Sequence, residues 1–155
     1  MPVTEHPPEA MHQTLTCQLT ATEADRILII DDEDAIVSAL SSQLRQQGFR
    51  VSLAGTGSQG RTAAHRDRPN LIILDLRLPD IDGFSLCQEL ADAPATASTP
   101  VILLSGMVRP DIIRRSRAAG CQYFVRKPYD PGALLVLIRH SLDDSRRWSA
   151  PAENE

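Results

Sequence analysis

Lysine is almost missing from this chain: the 16 basic residues are 15 arginines and a single lysine, Lys127. Aromatic residues make up only 4%, so any core must be aliphatic. No Walker-type GxxxxGK[ST] loop follows an apolar run, which argues against a P-loop enzyme. Cys17, Cys87 and Cys121 are odd in number, far apart and set in no CxxC pair. The sequence therefore predicts neither a disulfide framework nor a zinc site, and a reducing cytoplasm is the expected compartment. Residues 1–25 lack a basic start and a continuous apolar run, and no later stretch reaches membrane-spanning length. Neither export by such a signal nor membrane embedding is expected. The net charge of -4 gives no broad basic footprint, so direct DNA binding is not expected either.

What is present suits one folded domain, since 155 residues with 42% apolar content can bury a single core. The expected organisation is a flexible tail over 1–24, a domain over 25–145 and a second tail over 146–155. Prolines, threonines and charges dominate the first tail, where the alternation of Leu15, Cys17 and Leu19 is the one strand signal. Apolar runs of strand length follow at 27–30, 51–54, 71–74, 101–104 and 123–125, with helical patterns between them. That rhythm predicts an α/β fold with a parallel sheet covered on both faces.

Helix signals fill the intervals. Asp34 is the expected N-cap of the first helix, with Ile36, Val37, Leu40 and Leu44 on one face and Gly48 ending it. Segments 58–66, 84–90 and 111–118 predict three more helices. Asp130 before Pro131 predicts the start of the last, which carries Leu134, Leu137, Ile138 and Leu142.

In open α/β sheets ligands bind beyond the carboxyl ends of the strands. Those ends carry Asp31 and Asp32, Asp75, Ser105 and, closely after the fifth, Lys127. Two carboxylates about 5 Å apart repel by roughly 3 kcal/mol at an effective dielectric of about 20, so three together call for a cation. A hard, oxygen-liganded ion such as magnesium suits them and completes its shell with water and phosphate oxygens. One carboxylate would then be a nucleophile, with Lys127 and Ser105 on the oxygens of a transferring phosphoryl group. Any one of these aspartates alone reads as a turn or cap residue, the class to which Asp34, Asp80 and Asp82 are assigned. Asp31, Asp32 and Asp75 escape it jointly. Lys127 precedes Pro128, which raises the odds of a cis bond there.

These residues resemble the receiver domain of bacterial response regulators, through Ile-Leu-Ile-Ile-Asp-Asp-Glu at 27–33, Leu-Asp-Leu-Arg-Leu-Pro-Asp-Ile-Asp-Gly at 74–83, Leu-Ser-Gly at 104–106 and Lys-Pro at 127–128. The similarity covers about 25–143. It implies a flavodoxin-like, doubly wound sheet of order 2-1-3-4-5, phosphorylated on Asp75 by a sensor histidine kinase or a histidine phosphotransfer protein. It further implies magnesium, or manganese, held by Asp32, Asp75 and the backbone carbonyl of Arg77, with Asp31 acting through water. Ser105 would be the switch hydroxyl, Phe124 the aromatic switch and Lys127 the charge partner of the phosphoryl group. Arg77 and Met107 take positions that modulate dephosphorylation.

The resemblance implies a signalling switch rather than an enzyme acting on a separate substrate. Its readout face would be the fourth helix, fifth strand and fifth helix, where Arg109, Arg114, Arg115 and Arg117 are basic and Leu135 and Val136 offer apolar surface for a homodimer. A phosphatase with an aspartyl nucleophile wants an acid two residues on, and Arg77 stands there. The other reading is a receiver-like interaction module that is never phosphorylated. A stand-alone regulator, a phosphorelay shuttle and the amino-terminal part of a larger regulator all fit the sequence.

Overall fold

Five short strands, each an aliphatic run, pair in parallel: β1 (Arg26–Ile30), β2 (Arg50–Ala54), β3 (Leu71–Asp75), β4 (Val101–Ser105) and β5 (Tyr123–Arg126). The computed structural model describes residues 23–106 and 109–149. Most of the two expected tails, including the strand signal at 15–19, and Met107 lie outside that range. Strand order is β2-β1-β3-β4-β5, as the resemblance implies. Registers such as Ile30 opposite Leu74 and Asp75 opposite Leu104 align the carboxyl ends on one rim.

Helices α1 (Asp34–Gln46), α2 (Gly57–Asp67), α3 (Gly83–Asp92), α4 (Ile112–Ala118) and α5 (Pro131–Ser149) make the crossovers. Because side chains alternate along a strand, the sheet feeds two cores. Leu28, Ile30, Ile72, Leu74 and Leu103 pack against α2, α3 and α4 residues such as Ala63, Leu86 and Ile112. Ile27, Ile29, Leu71, Ile73 and Ile102 face Leu40 and Leu44 of α1 and Leu134, Ile138 and Leu142 of α5. β3 and β4 are buried along their whole length, whereas the edge strands β2 and β5 are half-buried. Each fully buried leucine or isoleucine contributes about 1.5–3 kcal/mol, which is how so few aromatics suffice.

The helix termini show where side-chain chemistry overrides local expectation. The first helix is capped at Glu33, not Asp34, because the Asp31 carboxylate accepts from the Glu33 amide at 2.9 Å and turns the chain one residue early. Asp34 becomes a first-turn acid, favourable beside the helix dipole. Gly48, at φ +91°, ends α1 as expected: its amide and that of Phe49 bond the carbonyls of Arg45 and Leu44. The glycine-rich α2 is held at its start by the Thr56 side chain and by Asp80, whose carboxylate accepts from Gly57 at 2.7 Å and Ser58 at 2.9 Å. Asp82 caps α3 and Asp130 caps α5. The last helix continues to Ser149, past the expected boundary at 145, and Arg146 pairs with Asp25.

One expectation is overturned. Cys87 on α3 and Cys121 before β5 are joined by a disulfide, their Cα atoms 6.6 Å apart. Sequence spacing hides the pair, because α3 lies over the sheet face toward which the turn after α4 returns the chain.

Candidate functional site

The rim site is assembled from three strand ends. β1 delivers Asp31, 4% exposed, and the exposed Asp32; β3 ends in Asp75, 6% exposed. Carboxylate oxygens of all three lie within 4.8 Å of one another. Lys127 follows β5, its amide donating to the Ser105 carbonyl at 2.8 Å and so holding the loop against the end of β4. Its ammonium donates to Asp31 Oδ2 at 2.9 Å, Asp75 Oδ2 at 3.0 Å and Glu33 Oε2 at 3.2 Å. The Lys127–Pro128 bond is cis, as the sequence suggests.

Electrostatics follow from this packing. Burial pushes the Asp75 carboxyl above the ordinary range, the Arg77 amide and Lys127 pull it down, and the Asp31 charge pushes it up again. Burial alone would lower Lys127, but its bonds to Asp31 and Asp75 outweigh that and hold it protonated well above its usual range. One ammonium thus faces the two buried carboxylates and the exposed Glu33. With Asp32 added the site remains net negative, the donor chemistry that an oxygen-liganded divalent cation requires.

The loop after Asp75 is shaped by close backbone approach. The Arg77 amide donates to Asp75 Oδ1 at 3.1 Å, and Gly83 donates to the Leu76 carbonyl at 3.0 Å. A Cβ on Gly83 would meet Leu76 Cα at 2.6 Å and the Asp75 carbonyl oxygen at 2.7 Å, so only glycine fits. A cleft of about 470 Å³ opens beside the rim, walled by Asp32, Arg77, Phe84, Arg109 and Arg115, with the Arg115 guanidinium 4.5 Å above the Phe84 ring.

The structure therefore brings Asp31, Asp32, Asp75 and Lys127 together. Ser105 sits on the same rim as the last, fully buried residue of β4. Phe124 lies lower, paired with Leu103, and packs against the core of α2, α3 and α4. Glu33 is a site residue that sequence reasoning did not single out; its signal was the unbroken acid run 31–34. Tyr129, two residues after Lys127, packs against the core of α1 and α5, where burial raises its hydroxyl pKa, Lys127 opposes this and Asp31 adds to it.

The sequence profile of the response regulator receiver domain matches residues 27–139. A DNA-binding dual master transcriptional regulator, RpaA of Synechocystis, is 37% identical over 129 residues, which are 83% of this chain and 54% of the relative. Response regulator PleD of Caulobacter vibrioides is 36% identical over 74% of this chain and 25% of its own length. The chain thus spans about half, or less, of the curated relatives it matches. A receiver domain protein (CheY-like) from Methanospirillum hungatei superposes with a TM-score of 0.78 at 28% identity, covering 82% of this chain and all of that one. The signal receiver domain of a Syntrophus aciditrophicus histidine kinase gives a TM-score of 0.75 at 27% identity, covering 85% and 98% of the two chains.

Proposed function

The chain belongs to the response regulator receiver domain family, and from that premise we propose that it is a switch phosphorylated on Asp75. The observation that carries the reading is the cluster of Asp31, Asp32 and Asp75 closed by Lys127 at 2.9 and 3.0 Å. Asp32, Asp75 and the Arg77 carbonyl would hold magnesium, or manganese, with Asp31 acting through water. When bound, that ion neutralises charge on phosphate oxygens.

The residues of the chain do the rest. An Asp75 oxygen attacks phosphorus as the bond to the donor imidazole breaks, and Lys127 moves from balancing carboxylates to balancing the new acyl phosphate. That group adds about -1.5 to -2 charge and three acceptor oxygens at one strand end. Ser105 and Phe124 would read it out, reshaping α4, β5 and α5. There Ile113 and Val136 are 57% and 69% exposed, and Arg109, Arg114 and Arg117 are exposed as well. The donor would be a sensor histidine kinase or a histidine phosphotransfer protein, and an output domain, target protein or second copy would bind that face. Among the described residues no helix is long and apolar enough to cross a membrane, and a cytoplasmic site of action suits a kinase donor.

The test is intact mass after incubation with acetyl phosphate and magnesium, beside Asp75→Ala and a chelated control. One magnesium-dependent phosphoryl group on the wild type, absent from the variant, is the expected result. No adduct under any condition would leave an unphosphorylated interaction module.

A further inference from the structure

Cys87 and Cys121 have no part in the rim chemistry, yet the fold joins them by a disulfide between residues 34 apart in sequence. Both lie inside the core under α2, α3 and α4, 1% and 4% exposed. Their Cα separation of 6.6 Å is within the span a disulfide bridges, so the backbone is arranged for closure. Cys121 occupies the turn between α4 and β5, three residues before Phe124, which packs against the same core. It also lines a surface groove of about 860 Å³ with Arg117, Tyr123, Asp144, Arg147 and Trp148. Cys121 is 4% exposed, so a reagent in the groove reaches its sulfur when the turn opens, and the two arginines there favour an anionic reagent.

Disulfides seldom persist in a reducing cytoplasm, and those that form there are mostly transient and redox-sensing. We propose that Cys87 and Cys121 are a reversible thiol–disulfide pair whose closure latches the turn between α4 and β5 onto α3, restraining β5. The consequence for signalling rests on the phosphorylation reading above: a latched β5 resists the rearrangement at Phe124. The oxidant class is a low-molecular-weight disulfide such as oxidised glutathione. The Cys121 thiolate attacks it and expels one glutathione thiolate; the Cys87 thiolate attacks the mixed disulfide and expels the second. Two protein thiols are oxidised, one glutathione disulfide is reduced, and the two cysteine protons pass to the leaving thiolates.

A Cys17→Ser chain, which keeps only the pair, is equilibrated with reduced or oxidised glutathione and followed by intact mass and amide hydrogen exchange. Closure removes two hydrogens and leaves no glutathione attached. It slows exchange over residues 117–124 by about tenfold or more relative to the reduced form, as tying down a locally opening segment should. Adding Cys87→Ala abolishes closure and the slowing, and because reduced and oxidised forms of one chain are compared, the result does not depend on how that variant folds. A persistent glutathione adduct, or closure with unchanged exchange, would overturn the latch. With acetyl phosphate added, a change over 117–124 that is equal in both forms would overturn the gating. Slowed exchange in a chain that takes up no phosphoryl group would support the latch and sink the Asp75 reading alone.

Discussion

Lys127 Nζ stands 2.9 Å from Asp31 Oδ2 and 3.0 Å from Asp75 Oδ2, one ammonium shared by two buried carboxylates. Removing one partner of such a group leaves charge uncompensated, which costs more than the contact itself is worth. Lys127→Ala should lower stability at pH 7 by about 3 kcal/mol in urea melts. Its folded pKa is raised, so the stabilisation is complete below the unfolded lysine value and disappears only as pH rises through the folded one. At pH 7 the full deficit is therefore seen. Magnesium should raise the urea midpoint of the variant more than that of the wild type, because a bound cation takes over the work of the ammonium.

Asp75→Asn should abolish phosphoryl uptake and, without metal, melt at higher urea than the wild type at pH 7. Burial is the largest influence on Asp75, and its folded pKa is raised. The folded chain then holds that proton more tightly than the unfolded chain, so stability falls as pH climbs from the unfolded carboxylate value of about 3.9 through the folded one. An asparagine has no such titration. The two midpoints should converge as pH drops below that window, and a variant less stable than the wild type at pH 7 would contradict the assignment.

Much of this was legible in the residues. The runs 71–74 and 101–104 are apolar at every position, which suits strands covered on both faces, and β3 and β4 are the strands buried throughout. The rim was legible for the same reason: in a parallel sheet the acids, Ser105 and Lys127 follow their strands at the same end. What stayed hidden depends on three-dimensional reach. Glu33 joins Lys127 only because its long side chain turns back over the rim. Asp80 looked like a turn residue, but it bonds the start of α2, which precedes it by 22 residues. Cys87 meets Cys121 only once a helix face is set against a particular turn.

Asp80 makes a prediction of its own. The Ser58 and Gly57 amides hold its carboxyl below the usual carboxylate range. A depressed folded pKa means that its contribution is present above the unfolded value and lost as pH falls through the folded one. Asp80→Ala should therefore lower Tm at pH 7, with the difference shrinking below about pH 4. Hydrogen exchange should locate the weakening at the first turn of α2, whose glycines give it little intrinsic helical stability. A constant Tm difference down to pH 2 would show that something other than the charged cap was lost.

Gly83 and Gly106 flank the site and should respond oppositely to the same added methyl group. At Gly83 a Cβ would come within 2.6 Å of Leu76 Cα and 2.7 Å of the Asp75 carbonyl oxygen, both backbone atoms that cannot swing aside. Gly83→Ala must move either the start of α3 or the loop that presents the Asp75 carboxylate, at a cost of about 1–3 kcal/mol. At Gly106 an added Cβ meets nothing within 4 Å among the described residues, and Gly106 does not have a positive φ. Gly106→Ala should stay within about 0.5 kcal/mol of the wild type. Urea melts of both variants, with phosphoryl uptake followed by mass, separate the outcomes: Gly83→Ala loses stability and uptake together, because one backbone contact supports both. If it kept normal uptake despite the lost stability, the strain would have been relieved at α3, and the Asp75 loop would be more independent of that helix than the contact implies.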